Sequence, residues 1–382
     1  MTGNFIWHWP RALSRTVAMF VKEFLQLRRD RLTFGTMIFI PIIQLSLFGF
    51  AINTTPRHLP TAVLAYEDSD LGRSILAALV NTSYFKLVEV VHSEAEMDHL
   101  IRSGQVLFGV EIPANFERAV RRGDRPALLV AADATDPVAA ATALSALEGI
   151  ITTALARDRG LPKSIKSVPA FEIREHRRYN PAAVTSLNIV PGLLGVILTM
   201  TMLIFTALSV TREIERGTME SLLAMPIEPL EIMLGKIAPY VVIGFIQVTL
   251  VIAFARIVFE VPIIGSIGLL ALLCTLFIAT NLSIGYTFST IAQNQLQAVQ
   301  MSFMFFLPNI LLSGFMFPFA GMPGWAQAIG ELLPLTHFIR IVRGIMLKGA
   351  DLYDLHRDAL ALLALMLLAM MLAVRRFRTT LD

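Results

Sequence analysis

Between Glu260 and Glu331 the chain carries no charged residue at all. One helix needs only about 20 apolar residues to cross a bilayer, so this stretch must fold back through a membrane more than once. Composition agrees. Of the 382 residues, 55% are hydrophobic and 16% charged, against about 25% charged in soluble domains. The net charge of +3 is too small to imply a nucleic-acid partner. Cys274 is the one cysteine, which excludes a disulfide framework or a thiolate metal site within one chain.

Polar positions divide the apolar sequence into segments. Leu32–Ile52, with Pro41 inside it, predicts a first span, and Ala182–Val210, bent near Pro191 and Gly192, a second. Ile237–Ala255 and Ile264–Thr290 predict a third and fourth. A polar, uncharged turn at Gln293–Gln300 leads to a fifth at Met301–Phe319, and Ala359–Val374 makes a short sixth. Residues 1–31 read as an amphipathic interfacial helix, with Leu13, Val17, Phe20, Phe24 and Leu27 on one face and Arg15 and Lys22 elsewhere. The basic residues there, and Arg375, Arg376 and Arg378 near the other end, place both termini in the cytoplasm, with 377–382 a tail. The expected architecture is an α-helical integral membrane protein with about six transmembrane helices. Residues 182–376 form the core after the first span.

Residues 53–181 have the texture of an inserted, extracytoplasmic domain. Strands are expected at Thr61–Tyr66, Phe85–Val91, Val106–Ile112, Ala127–Ala132 and Phe171–Arg177. Asp68, Ser69 and Asp70 offer helix caps, Ser93 and Glu96 form a capping box, and Pro113 sits where a helix would begin. A long Ala-rich helix is expected over Val138–Arg157. Alternating strands and helices argue for a mixed α/β domain. His92 and His99 lie among Glu89, Glu94, Glu96 and Asp98, but at no metal-ligand spacing, and a solvated acidic face explains them. Neither a catalytic constellation nor a phosphate-binding loop is present.

Two features need more than a span count. Thr211–Met225 is a charged, helix-favouring segment between apolar runs, closed by Pro226 and Pro229. Its charges alternate, so Glu213/Arg216 and Arg216/Glu220 can pair, while Ile214, Met219, Leu222 and Leu223 need cover. It suits a surface helix that offers one face to a soluble partner. The other feature is a conflict: Arg340, Arg343, Lys348 and Arg357 fall on the side where basic residues are disfavoured. Residues 318–348, broken by Pro318, Gly321, Pro323, Gly324 and Pro334, read as a re-entrant helical hairpin, which protein must cover.

Gln44, Asn188, Asn281, Asn309 and Ser313 are polar within apolar runs, and are candidates to line a pathway or to act as packing glue. No ionisable side chain falls at the centre of a span, which disfavours an ion-coupled exporter. No Walker A sequence is present to bind ATP. A membrane sensor would need an output module, and none follows the apolar segments.

Thr211–Leu222, with its Glu-Arg-Gly-Thr-Met-Glu core, resembles the cytoplasmic coupling segment of ABC-2 type permeases, the membrane subunits of ABC exporters. Leu333–Gly349 resembles the outer-loop motif before the last helix of that family. Bacterial members with a large periplasmic domain, of the drug-efflux kind, are the most similar. The resemblance implies that Glu213, Glu215, Arg216, Gly217, Thr218 and Glu220 seat in an ATPase groove. It implies that Pro334, His337, Arg340, Arg343 and Gly344 belong to re-entrant helices, with basic side chains at the headgroups. It further implies an inner-membrane permease exporting a hydrophobic or amphipathic substrate, paired with a second permease and surrounded by membrane lipids. Two copies of an ATP-binding subunit, with a periplasmic adaptor, would complete it. ATP and Mg2+ would then bind the partner subunit, and this chain would hold no cofactor and catalyse nothing itself.

Overall fold

The computed structural model describes residues 58–81, 84–136, 140–141, 143–145, 147, 171–215, 217 and 229–376. The interfacial helix at 1–31, the first span with Gln44, and the tail 377–382 lie outside the described residues.

The α/β domain is a five-stranded sheet in the order β2-β1-β3-β4-β5, formed by β1 (Leu59–Ala65), β2 (Phe85–Val91), β3 (Phe108–Ile112), β4 (Ala127–Asp133) and β5 (Glu172–Arg178). β1 is parallel to both β2 and β3, β4 is antiparallel to β3, and β5 is parallel to β4. Alternation along the strands feeds two cores. Leu59, Val63, Phe108, Val110, Leu128 and Val130 pack with α1 (Asp70–Asn81) and α3 (Phe116–Arg122). Ala62, Leu64 and Ala131 face α2 (Glu94–Arg102) on the other side. Helices on both faces are what parallel strands require. Both sheet edges are blunted against pairing with another chain: β2 carries an irregularity opposite Thr61/Ala62, and β5 carries charged residues along its length.

The expected caps are in place. Ser69 Oγ accepts from Gly72 N at 3.2 Å, and Ser93 Oγ from Glu96 N at 3.2 Å. Glu96 reaches back to the backbone N–H of His92 at 3.0 Å, one residue earlier than in the usual box. Pro113 does not open a helix. α3 starts at Phe116, after Asn115 in a left-handed conformation (φ 60).

The bundle contains α4 (Thr185–Glu215), α5 (Pro229–Val258), α6 (Ile267–Ile291), α7 (Gln295–Leu312) and, last, α10 (Leu352–Arg376). Among the described residues, four helices are long and apolar enough to cross a membrane, within α4, α5, α6 and α10. Their Thr and Ser hydroxyls turn back onto carbonyls of the preceding turn, as at Thr199, Thr206 and Ser283, which satisfies them without water. α5 leaves Val242, Ile246, Leu250, Phe254 and Ile257 exposed along one side, a surface suited to acyl chains. The end bearing Asn188 of α4 touches the α/β domain, and is called the domain end below; the other is the far end.

Several boundaries differ from the sequence expectation. Polar residues thought to end helices are used as caps or paired instead. The turn expected at Gln293–Gln300 is shorter, because Asn294 caps α7 by accepting from Gln297 N at 2.8 Å. α7 therefore begins at Gln295 and stops at Leu312, and the apolar residues up to Phe319 lie beyond it. The last helix starts at Leu352 rather than Ala359 because Asp354 and Asp358 find partners. Thr211–Glu215 is the final part of α4 rather than a new helix, and Gly217 beyond it has φ +69.

α6 sits between α4 and α10. Gly285 permits its approach to α4: a Cβ there would lie 2.8 Å from the Leu203 carbonyl oxygen. On the α10 side, Thr287 Oγ1 donates to Ala369 O at 3.1 Å. Gly285→Val is expected to force α4 and α6 apart at a cost of about 1–3 kcal/mol. A lowered unfolding midpoint in lipid nanodiscs checks this, and an unchanged midpoint would show that the helices can separate freely.

Candidate functional site

At the domain end, residues 318–348 form short helical pieces: a 3-10 turn (Phe319–Gly321), α8 (Gly324–Gly330), α9 (Pro334–Arg343) and a π turn (Gly344–Lys348). Pro334 opens α9 at a position where its missing N–H costs nothing. α9 packs on α4, α6, α7 and α10, and Phe338 stacks on Phe277 with centroids 3.8 Å apart. α9 is covered by protein, while Trp325, Ile329 and Leu332 in and beside α8 stay exposed.

The basic residues that conflicted with the charge rule are all engaged by protein except Arg357. Arg340 bonds Glu331 at 2.6 Å and Asp358 at 3.3 Å, and lies over the Phe319 ring. Arg343 donates to Asn188 Oδ1 at 2.9 Å and to Gly314 O at 3.3 Å. Lys348 pairs with Asp133 at the end of β4, with both side chains buried. Arg343 is therefore buried against protein rather than at the headgroups that the resemblance implied, and Lys348 is buried too. Gly344, the first residue of the π turn, lies against Leu355, and its carbonyl accepts from Ala350 N at 2.9 Å. His337 is held by Asp358 and by the Glu331 carbonyl, each at 2.8 Å. Burial opposes the charged ring, but these two bonds outweigh it and raise its pKa.

These contacts run into the α/β domain. Asp133 Oδ1 accepts from the Thr135 hydroxyl at 2.8 Å, the Thr135 carbonyl accepts from Asn188 Nδ2 at 2.7 Å, and Asn188 holds Arg343. Asp354 at the start of α10 meets His99 and Arg102 of α2, each at 3.3 Å. His99 is thus a junction residue rather than part of a solvated face. Asp133, Thr135, Asp354 and Asp358 were missed from sequence. The one available signal was the unexplained basic cluster, since buried cations must find partners.

Asn188, Asn309 and Ser313 hydrogen-bond within the chain, whereas Asn281 uses its Nδ2 and leaves Oδ1 buried without a partner among the described residues. Asn309 Oδ1 accepts from Leu335 N at 3.3 Å, Asn281 Nδ2 donates to Phe277 O at 3.0 Å, and Ser313 contacts the backbone of Ile310 and Phe315.

At the far end, Glu215 accepts from the Gln295 backbone N–H at 2.7 Å and from its side-chain amide. The carboxylate thereby sits at the N-terminus of α7, where the helix dipole favours it. These two bonds, the backbone one first, hold its pKa below the usual carboxylate range. The backbone of Glu213 lies in α4, while Arg216, Thr218 and Glu220 lie outside the described residues.

Residues 31–375 match the model of the family described as ABC-2 family transporter protein. The chain belongs to the ABC-2 transporter family. Among its relatives is a protein named probable multidrug ABC transporter permease YbhS of Escherichia coli strain K12. It is 30% identical over 340 residues, covering 88% of this chain and 89% of that protein. The inner membrane transport permease YhhJ of the same strain is 31% identical over 361 residues, covering 89% and 93%. ABC transporter G family member 20 of Dictyostelium discoideum is 23% identical over 359 residues, which span 92% of this chain but 48% of that longer protein. An ABC-2 permease with several apolar helices and a small α/β region is what the fold and these relatives jointly establish.

Proposed function

We propose that this ABC-2 chain is the membrane subunit of a bacterial inner-membrane exporter that moves hydrophobic or amphipathic compounds and is powered by a separate ATP-binding subunit. The observation that carries the mechanism is α4, one unbroken helix from Asn188, bonded to Arg343, to Glu215, bonded to α7. A push on Thr211–Met225 is delivered along about 40 Å of continuous helix to the hairpin at the domain end. Glu213, Arg216, Gly217, Thr218 and Glu220 form the surface that meets the ATPase, and Glu215 ties that surface to α7. The far end is cytoplasmic and the α/β domain periplasmic. A second permease completes the pathway, and ATP and Mg2+ are held by the ATPase partners. The multidrug label on the relatives supports the substrate class.

Cells producing the chain with its cognate ATPase are expected to accumulate less ethidium than cells lacking either. This difference should survive a protonophore while cellular ATP is maintained. Loss of the difference on adding the protonophore would favour an ion-gradient exporter instead.

A further inference from the structure

Both ring nitrogens of His337 face acceptors. Nδ1 lies 2.8 Å from Asp358 Oδ1, and Nε2 lies 2.8 Å from the Glu331 carbonyl oxygen. A neutral imidazole has one N–H, so its other nitrogen would turn a lone pair onto an oxygen. The carbonyl can only accept. Asp358 also accepts from Arg340 at 3.3 Å. An imidazolium against a carboxylate satisfies every contact at once. The ring is 5% exposed and the Asp358 side chain 19%, so water is poorly placed to replace a lost bond.

We propose that His337 and Asp358 hold a proton that latches α9 to α10, a pH-sensitive closure of the domain end. Three charged groups face the ring among the described residues: Asp358 from α10, Glu331 from the turn after α8, and Arg340 from α9 itself. α4, α6 and α7, which also pack on α9, bring no described ionisable group to ion-pair distance of the ring. Deprotonation leaves one nitrogen facing an acceptor, lone pair to lone pair, and releases the proton to water. The proton is bound more tightly in the latched state than in the released one. The latch is therefore complete below the ordinary imidazole range of about 6.5 and lost as pH rises through the higher pKa of the latched ring. The geometry alone carries the latch, whereas its consequence for export rests on the permease reading.

The test uses the full chain in lipid nanodiscs with 15N-labelled histidine rings, whose shifts separate imidazolium from neutral tautomers. His337 is assigned as the ring signal lost from the full set of seven histidines in His337→Gln. Its imidazolium is expected to persist to a lower proton concentration than that of a free histidine ring. A His337 that titrates as a free histidine ring does, or stays neutral throughout, overturns the proposal. Hydrogen exchange over Pro334–Arg343, corrected for intrinsic rates, then reads the latch itself. Protection should fall about tenfold across the His337 titration and be flat with pH in both His337→Gln and Asp358→Asn. A flat profile in the unaltered chain would mean that the proton latches nothing. These readouts need no transport, so they stand or fall apart from the exporter reading.

Discussion

Lys348→Met is expected to destabilise the junction between the α/β domain and the bundle by about 3–5 kcal/mol, the usual cost of stranding one charge of a buried pair. The Lys348 and Asp133 side chains are 8% and 3% exposed, so water cannot take the place of the lost ammonium around Asp133. The same carboxylate organises Thr135, which in turn holds Asn188 of α4, so the loss spreads to the top of the longest helix. The double variant Lys348→Met with Asp133→Asn removes both charges, keeps an acceptor for Thr135 and should return most of the stability, because no buried charge is left unpaired. Unfolding midpoints in nanodiscs check this. Equal losses in the single and double variants would show that packing, rather than the ion pair, fixes the domain.

Glu213→Arg and Glu220→Arg are each expected to reduce efflux to the level of cells lacking the ATPase, with membrane abundance unchanged. Reversing a charge in a docking surface adds repulsion as well as removing attraction, and a desolvated like-charge contact costs several kcal/mol. That is a loss of two or more orders of magnitude in occupancy of the coupled state. Glu215→Arg is a useful contrast, since Glu215 is already engaged by Gln295 inside the chain. Its effect should include a weakened α4–α7 contact, seen as faster hydrogen exchange at the start of α7. Efflux at normal levels in both Glu213→Arg and Glu220→Arg would remove these residues from the coupling surface.

What could be read from the sequence, and what could not, follows from the range of the forces involved. The apolar runs that became α4, α5 and α6, and the strand–helix alternation of the domain, are local patterns set by burial and backbone hydrogen bonding. The capping box at Ser93 was likewise legible, being a contact across three residues. The junction was not. Asp133 is followed by Ala134, Thr135 and Asp136, a turn like many others, and its partner lies 215 residues away. Asp358 looked like a charge that should end a transmembrane helix, and only its pairing with His337 and Arg340 explains why α10 continues through it. The basic cluster at Arg340, Arg343 and Lys348 violated the charge rule visibly, and it marked the site that the folded chain builds there. A rule about loops in water says nothing about cations buried against carboxylates.

The account depends most on a separate ATP-binding partner seated at the far end of α4. The direct measurement is gentle purification of the tagged chain from its native membranes, with mass spectrometry of what accompanies it. The account predicts an ATP-binding subunit recovered in equal molar amount with the unaltered chain and lost from Glu213→Arg at unchanged permease yield. A chain that purifies without any ATPase, yet still moves ethidium in vesicles under a proton gradient alone, would contradict it.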